Sequence, residues 1–457
     1  MLYILIWLIV LVLSAVFFYK AAGSLSLFTP NLISISFYYS FLITSFIGSL
    51  LIVLGIDHFY MMNKLDHQEY RLIGFIVVCF AMVFFPLTMF LVSKLAGFDA
   101  PKEFKTYLEK PIESAFNRKT EFYFLFAALS LISILAVMYT MLKTNQVPLF
   151  SLLKGAGGEE LAKLRIDAGR NFSGNVLIRN IFAVALTPLL SIIAYVYSVK
   201  TRELKWRLLF LALFFSAILI NVYDLAKSPV LFYLIMFILV RIYIGKTKFN
   251  AAKFIFVGST GVLLLLFMYV FIFGQSNISS YLSYSTGPIG RIILSQIAPM
   301  FLHLDFFGNS VPFLNGASLP SSIIGLFDMN QVRSARVVME LAYPENVAAG
   351  IAGVLNTLYV AEAYANFGYI GIVAGTIYIA ALVQVLYICF IRLPKNPVFL
   401  SLFIYFTINI PRTLVGGFTD FLFNPIWFLL TFLFVGILLF IRVRIDLTAY
   451  FKRLREN

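Results

Sequence analysis

The chain has 457 residues, of which 61% are hydrophobic, 17% aromatic and only 12% charged. A soluble domain carries about 25% charged residues, so this composition excludes a soluble enzyme, a nucleic-acid-binding protein and a disordered scaffold. The net charge of +14 fits the Lys and Arg that collect in the cytoplasmic loops of membrane proteins and requires no nucleic-acid partner.

A spanning helix needs about 20 mostly apolar residues. In chain order the runs near 1–19, 33–55, 71–93, 121–142, 176–198, 206–223, 229–245, 252–273, 369–391, 398–411 and 420–441 qualify. They predict an all-α polytopic integral membrane protein with about eleven to twelve spans. The first run lacks a basic leader and an Ala-x-Ala-like cleavage site, so it reads as a retained span. The runs near 229–245 and 398–411 are short and read as tilted partners or half-spans. The basic tail after 441 places the C-terminus in the cytoplasm, and every second loop agrees. An odd number of spans then puts Met1 outside.

Three regions follow: residues 1–273 as an N-terminal membrane region with an outer loop at 143–175, residues 274–368 as a large outer loop, and residues 369–457 as a C-terminal membrane region. A loop as long as 274–368 is uncommon unless folded. The mixed charges of 94–120, at helical spacing, predict a solvated surface helix without a functional role.

Outer basic residues are the exception to the positive-inside pattern. Arg71 and Lys64 lie in a small loop and read as ordinary. Arg165, Arg170, Arg179, Arg291, Arg333, Arg336 and Arg412 are more informative. Arg179 lies one turn inside a span, in GNVLIRNIF, and Arg412 ends one, in NIPRTLVGG. A charge at the bilayer edge is costly and points to function. The guanidinium fork donates paired hydrogen bonds to phosphate. At an effective dielectric near 20, each such pair at ~4 Å is worth ~4 kcal/mol before desolvation. Gathered together, these arginines would hold a lipid-linked diphosphate. Each also has a structural reading: Arg336 with Glu340 at i,i+4, Arg165 with Asp167, and Arg179 reaching outward along its stem.

Asn356, Tyr359, Glu362 and Asn366 are spaced three, three and four apart and predict one polar stripe on an amphipathic helix at the outer interface. Glu362 can accept a hydroxyl proton, orient an acceptor or pair with an arginine. The alternative is a polar face that caps a membrane helix. Gly371 and Gly375 have a spacing that suits close helix packing.

Other signals are weak. LLKGAGGEE lacks the strand and the Lys-Ser/Thr of a phosphate-binding loop. His58, His67 and His303 have no zinc-binding spacing, and Cys79 and Cys389 lie in separate apolar runs. Outer aromatic residues suit either sugar stacking or an interfacial belt.

The layout, the Arg-bearing segment LRIDAGRNFSGN and the stretch NTLYVAEAYANFGYIG, with Glu362, Asn366, Phe367 and Gly368, together resemble the bacterial O-antigen and capsule repeat-unit polymerases of the Wzy type. Related lipid-linked ligases carry a His where this sequence offers Asn356. The resemblance implies a GT-C-like glycosyltransferase of the bacterial inner membrane, working at its periplasmic face without metal or cofactor. It would transfer a glycan from undecaprenyl diphosphate onto a lipid-linked repeat unit. Partners would be undecaprenyl-diphosphate oligosaccharides, membrane lipids and a chain-length regulator. In this reading Glu362, Arg170 and Arg336 are catalytic. Arg165, Arg179, Arg291, Arg333, Asn356, Tyr359, Asn366 and Arg412 bind substrate. The rival readings are a lipid-linked glycan ligase and a polysaccharide flippase or other transporter.

Overall fold

The computed structural model describes residues 1–113, 119–247, 249–273, 283–285, 287–350 and 352–456. The described chain is helical, and its β structure is one isolated bridge between Phe307 and Val311. Among the described residues, nine helices are long and apolar enough to cross a membrane. They are Leu2–Ala22, Leu32–Val53, Tyr70–Leu95, Thr120–Lys143, Ile178–Thr201, Leu204–Val222, Val360–Arg392, Pro397–Leu414 and Thr419–Arg442. The sequence predicts eleven spans. The other two fall on Lys227–Tyr243 and Ala251–Phe273, whose described apolar stretches are shorter.

By internal contacts the chain divides into two compact units, each assembled from separate stretches. One comprises Met1–Glu109, Ser276–Leu393 and Phe406–Phe423, the other Lys110–Gln275, Pro394–Tyr405 and Asn424–Asn457.

In the first unit, Tyr70–Leu95 packs against Leu2–Ala22 and Val360–Arg392. An aromatic cluster fills the contact: Phe41 and Phe85 have ring centroids 4.8 Å apart, and Phe85 lies 5.9 Å from Tyr359. These separations suit edge and offset ring contacts. Some polar groups buried among the spans find partners, as a helix out of water favours, while Ser14 Oγ, Gln384 Oε1 and Thr407 Oγ1 have none among the described residues. Gln384 Nε2 donates to Ser93 Oγ at 2.7 Å, and Tyr387 donates to the Ala22 carbonyl at 2.8 Å. The start of Leu32–Val53 is fixed by a reciprocal cap, in which Ser34 N–H donates to the Asn31 side chain and Asn31 N–H donates to Ser34 Oγ. Within the stretch 94–120, residues Ala100–Glu109 form the expected short helix. It buries Phe104 and Tyr107 and is clasped by Arg392, whose guanidinium donates to both oxygens of Glu103 at 2.8 and 2.9 Å.

The long segment 274–368 folds into short helices over its described part. The first two are Pro288–Ile293 and Ala298–Phe306. All nine residues of Ala298–Phe306 are buried, so this stretch is core rather than loop. Asp305 within it accepts from the N–H groups of Asp66 (2.7 Å) and His67 (3.2 Å) and bonds His67 Nδ1 at 2.8 Å.

In the second unit, Ile178–Thr201 is the most enclosed span. It packs on Thr120–Lys143 and Leu204–Val222. Ser133 bonds Thr187 Oγ1 at 2.6 Å, Ser191 bonds the Tyr233 hydroxyl at 2.7 Å, and Trp206 stacks on Tyr197 at 4.3 Å.

Candidate functional site

The site begins with a kink. The helix Val360–Arg392 is broken at Phe367 and Gly368, where Gly368 takes φ 59° and ψ −147°. That backbone conformation is open to glycine and strained for any residue with a Cβ. The chain then doubles back on itself. Tyr359 donates to Thr376 Oγ1 at 3.0 Å, and a Cβ on Gly371 would strike the Ala363 carbonyl. The arm Val360–Asn366 therefore lies alongside the first turns of the span that follows it.

This arm carries Glu362 and Asn366. Thr419 meets both oxygens of the half-buried Glu362 carboxylate. Its N–H donates to Oε2 at 3.0 Å, and its hydroxyl donates to Oε1 at 2.9 Å. Ser318 lies in electrostatic range of this carboxylate. Asn366 Nδ2 donates to Ser318 Oγ at 2.6 Å and to the Glu362 carbonyl at 2.8 Å, while its Oδ1 accepts from Gly316 N–H at 3.0 Å. Asn366 thus pins the turn 314–318 against the arm and is saturated by protein groups. Asp420, exposed next to Thr419, interacts electrostatically with Glu362 on one side and with the exposed Arg333 on the other. The half-buried Glu362 carboxylate thus has an exposed carboxylate, Asp420, in its electrostatic range, and Arg333 acts electrostatically on Asp420.

The predicted four-residue stripe is only partly helical. Asn356 lies in irregular backbone, and Tyr359 stands at the helix start. The cause is tertiary. Leu355 N–H donates to the Ala335 carbonyl, Tyr359 N–H to the Leu414 carbonyl, and Thr357 Oγ1 to the Gln296 carbonyl. Tyr359 is fully buried and belongs to the core. Asn356 Oδ1 is buried with no hydrogen-bond partner among the described residues.

The arginines divide between the units. Arg291, Arg333, Arg336 and Arg412 belong to the first, and Arg165, Arg170 and Arg179 to the second. Among the described arginines, Arg333 is the one with an electrostatic effect on Asp420. Arg336 pairs with Glu340 at 2.7 Å and donates toward the Ala352 and Gly353 carbonyls, which is its structural reading. Arg412 donates to Asn409 Oδ1 at 3.3 Å, and Arg291 is exposed on Pro288–Ile293. In the second unit Arg165 Nε donates to the Asp224 carbonyl at 3.1 Å, rather than pairing with Asp167. Arg179 is buried, donates to the Ala168 carbonyl at 3.0 Å and lies 4.6 Å above the Phe172 ring. The Arg170 side chain lies outside the described residues.

Comparison with protein-family models, with curated proteins and with solved structures finds no match. The reading of the site therefore rests on its own chemistry.

Sequence reasoning missed Ser318, Thr419, Asp420 and Asp305. A signal exists for two of them. The polar pair Thr419–Asp420 interrupts two apolar runs one residue after Gly416–Gly417, a break that a purely hydrophobic connection would not need.

Proposed function

We propose that the protein is a membrane glycosyltransferase, a repeat-unit polymerase. It moves a glycan from undecaprenyl diphosphate onto a hydroxyl of a second lipid-linked repeat unit, at the periplasmic face of the bacterial inner membrane. The observation that carries the reading is the Glu362 carboxylate, fixed by Thr419 on a folded-back arm of a membrane-length helix, with Asp420 in its electrostatic range and Arg333 in that of Asp420. Two carboxylates in different surroundings suit separate roles. Glu362, with both oxygens engaged by Thr419, orients the acceptor segment. Asp420 is open to accept the proton of the attacking hydroxyl.

In the transfer, the acceptor oxygen bonds the anomeric carbon and the bond from that carbon to the diphosphate oxygen breaks. The electron pair leaves on the diphosphate, where Arg333 compensates the developing charge. The hydroxyl proton passes to Asp420 and then to water. Most of the rate would come from holding donor and acceptor in line.

Purified protein given one defined lipid-diphosphate repeat unit, without nucleotide sugar, should yield a ladder of lengthened glycans. Glu362→Gln and Asp420→Asn should shorten or abolish it at equal protein level. A wild-type preparation that makes no ladder, or variants that make a full one, would overturn the proposal.

A further inference from the structure

The second unit contains a cavity of about 220 Å³ that none of the arginine chemistry uses. It is built from two elements. Leu164, Asp167, Ala168 and Asn171 recur at i, i+3, i+4 and i+7 and so share one face of the helix Gly158–Arg170 and its cap. Thr144, Asn145 and Gln146 follow the end of Lys119–Lys143 and form the facing wall. The two elements are tied together. The Ser173 hydroxyl donates to the Lys143 carbonyl, and Asn175 N–H donates to the Tyr139 hydroxyl at 2.8 Å. Phe172 lines the cavity with its ring held in place by Tyr139 at its edge (6.4 Å) and by the Arg179 guanidinium (4.6 Å).

The lining has a definite chemistry. Three carboxamides line it: Asn145 and Gln146 each carry two donors and an acceptor, and Asn171 keeps one donor and its acceptor beside its bond to Asp167, while one aromatic ring offers an apolar surface. Among the described lining residues the charged one is Asp167, whose Oδ1 already accepts from Asn171 Nδ2 at 2.9 Å. Arg165 and Arg179 are engaged on the Asp224 and Ala168 carbonyls and do not line the cavity. Carboxamides beside a ring suit vicinal hydroxyls and the C–H face of a pyranose. A carboxylate with no cation among the described lining residues disfavours an anion. The volume, below the ~300 Å³ at which drug-sized pockets begin, suits one ring.

We propose that this cavity is a saccharide subsite selecting one neutral or N-acetylated pyranose and rejecting uronic acids. Its assignment to the glycan of the lipid-linked substrate rests on the polymerase reading above. The binding itself does not.

The test uses the full chain in detergent and saturation-transfer NMR with three probes: glucose, N-acetylglucosamine and glucuronate. Glucose or N-acetylglucosamine should bind saturably, and glucuronate at least fivefold more weakly. Asn145→Ala and Gln146→Ala, both at exposed positions, should each weaken the neutral sugar roughly fivefold, the worth of one hydrogen bond. Asp167→Asn should narrow the gap to glucuronate. No saturable binding, binding unaffected by both carboxamide changes, or preference for glucuronate overturns the subsite. A glycan ladder without sugar binding would sink this inference and leave the polymerase reading standing. Sugar binding without a ladder would do the reverse.

Discussion

Thr419 donates twice to Glu362, once from its backbone and once from its hydroxyl, so a single residue occupies both oxygens of the carboxylate. Thr419→Val keeps the shape and the backbone bond and deletes the second. Hydrogen bonds to charged groups are worth about 1.5–3 kcal/mol. The variant should lose up to about that much stability in detergent and shorten the glycan ladder, while Thr419→Ser should retain both. A Thr419→Val protein with unchanged melting and unchanged ladder would show that the hydroxyl bond has no role.

Gly371 is held by the close approach of the Ala363 carbonyl, which is backbone and cannot swing aside. Gly371→Ala should cost about 1–3 kcal/mol, as overpacking does. Thermal unfolding in detergent measures it, and a melting temperature equal to wild type would mean that the two arms are not in contact. Gly436, with open space around it, is the matched control.

Arg333 and Arg336 are three residues apart and separate cleanly. Arg336→Ala removes a half-exposed ion pair to Glu340, worth no more than about 1 kcal/mol, and should leave the ladder nearly intact. Arg333→Ala should leave melting unchanged and remove most of the ladder, because it deletes the cation that acts electrostatically on Asp420. The reverse pattern would move the anion site to Arg336.

Two histidines predict opposite pH dependences. His303 is enclosed, and burial pushes its pKa down to about 4, partly countered by its bond to the Pro299 carbonyl. The unfolded chain takes up that proton at higher pH than the native one. Stability therefore rises with pH between about 4 and the ordinary value of 6.5, and is lost as pH falls through that window. A shift of this size corresponds to about 3 kcal/mol. The exposed His67 is raised, chiefly by its hydrogen bond to Asp305. Its contribution is full below the ordinary value and fades as pH rises through the raised one. Melting curves from pH 4 to 8 should lose their acid limb in His303→Leu and their decline above the ordinary histidine value in His67→Leu. Curves that keep their shape would refute the assignment.

The spans were legible because crossing a bilayer demands an unbroken apolar run, and Leu2–Ala22 or Tyr70–Leu95 can hardly be read otherwise. Glu362 and Asn366 were legible as polar groups at a span's edge. The fold of the arm was not. A four-residue spacing extrapolates a straight helix, whereas the Leu414 and Ala335 carbonyls hold residues 355–358 in irregular backbone and Gly368 reverses the chain. Ser318 and Thr419 could not be paired with Glu362 from the sequence, since 44 and 57 positions separate them from it and no local pattern encodes such a meeting. The arginines show the same limit. Their abundance was visible, while the satisfaction of Arg179 and Arg336 by nearby carbonyls became visible only with the backbone in place.

The hairpin made by Val360–Asn366 and the turns around Gly371–Thr376 works as a built-in ruler. Because Glu362 is mounted against the same helix that carries it, its height along that helix axis is measured from Ala363, Gly371 and Thr376. Lengthening or shortening the preceding segment 343–355 by a residue should leave the carboxylate at the same depth, while an insertion between Gly368 and Gly371 would displace it.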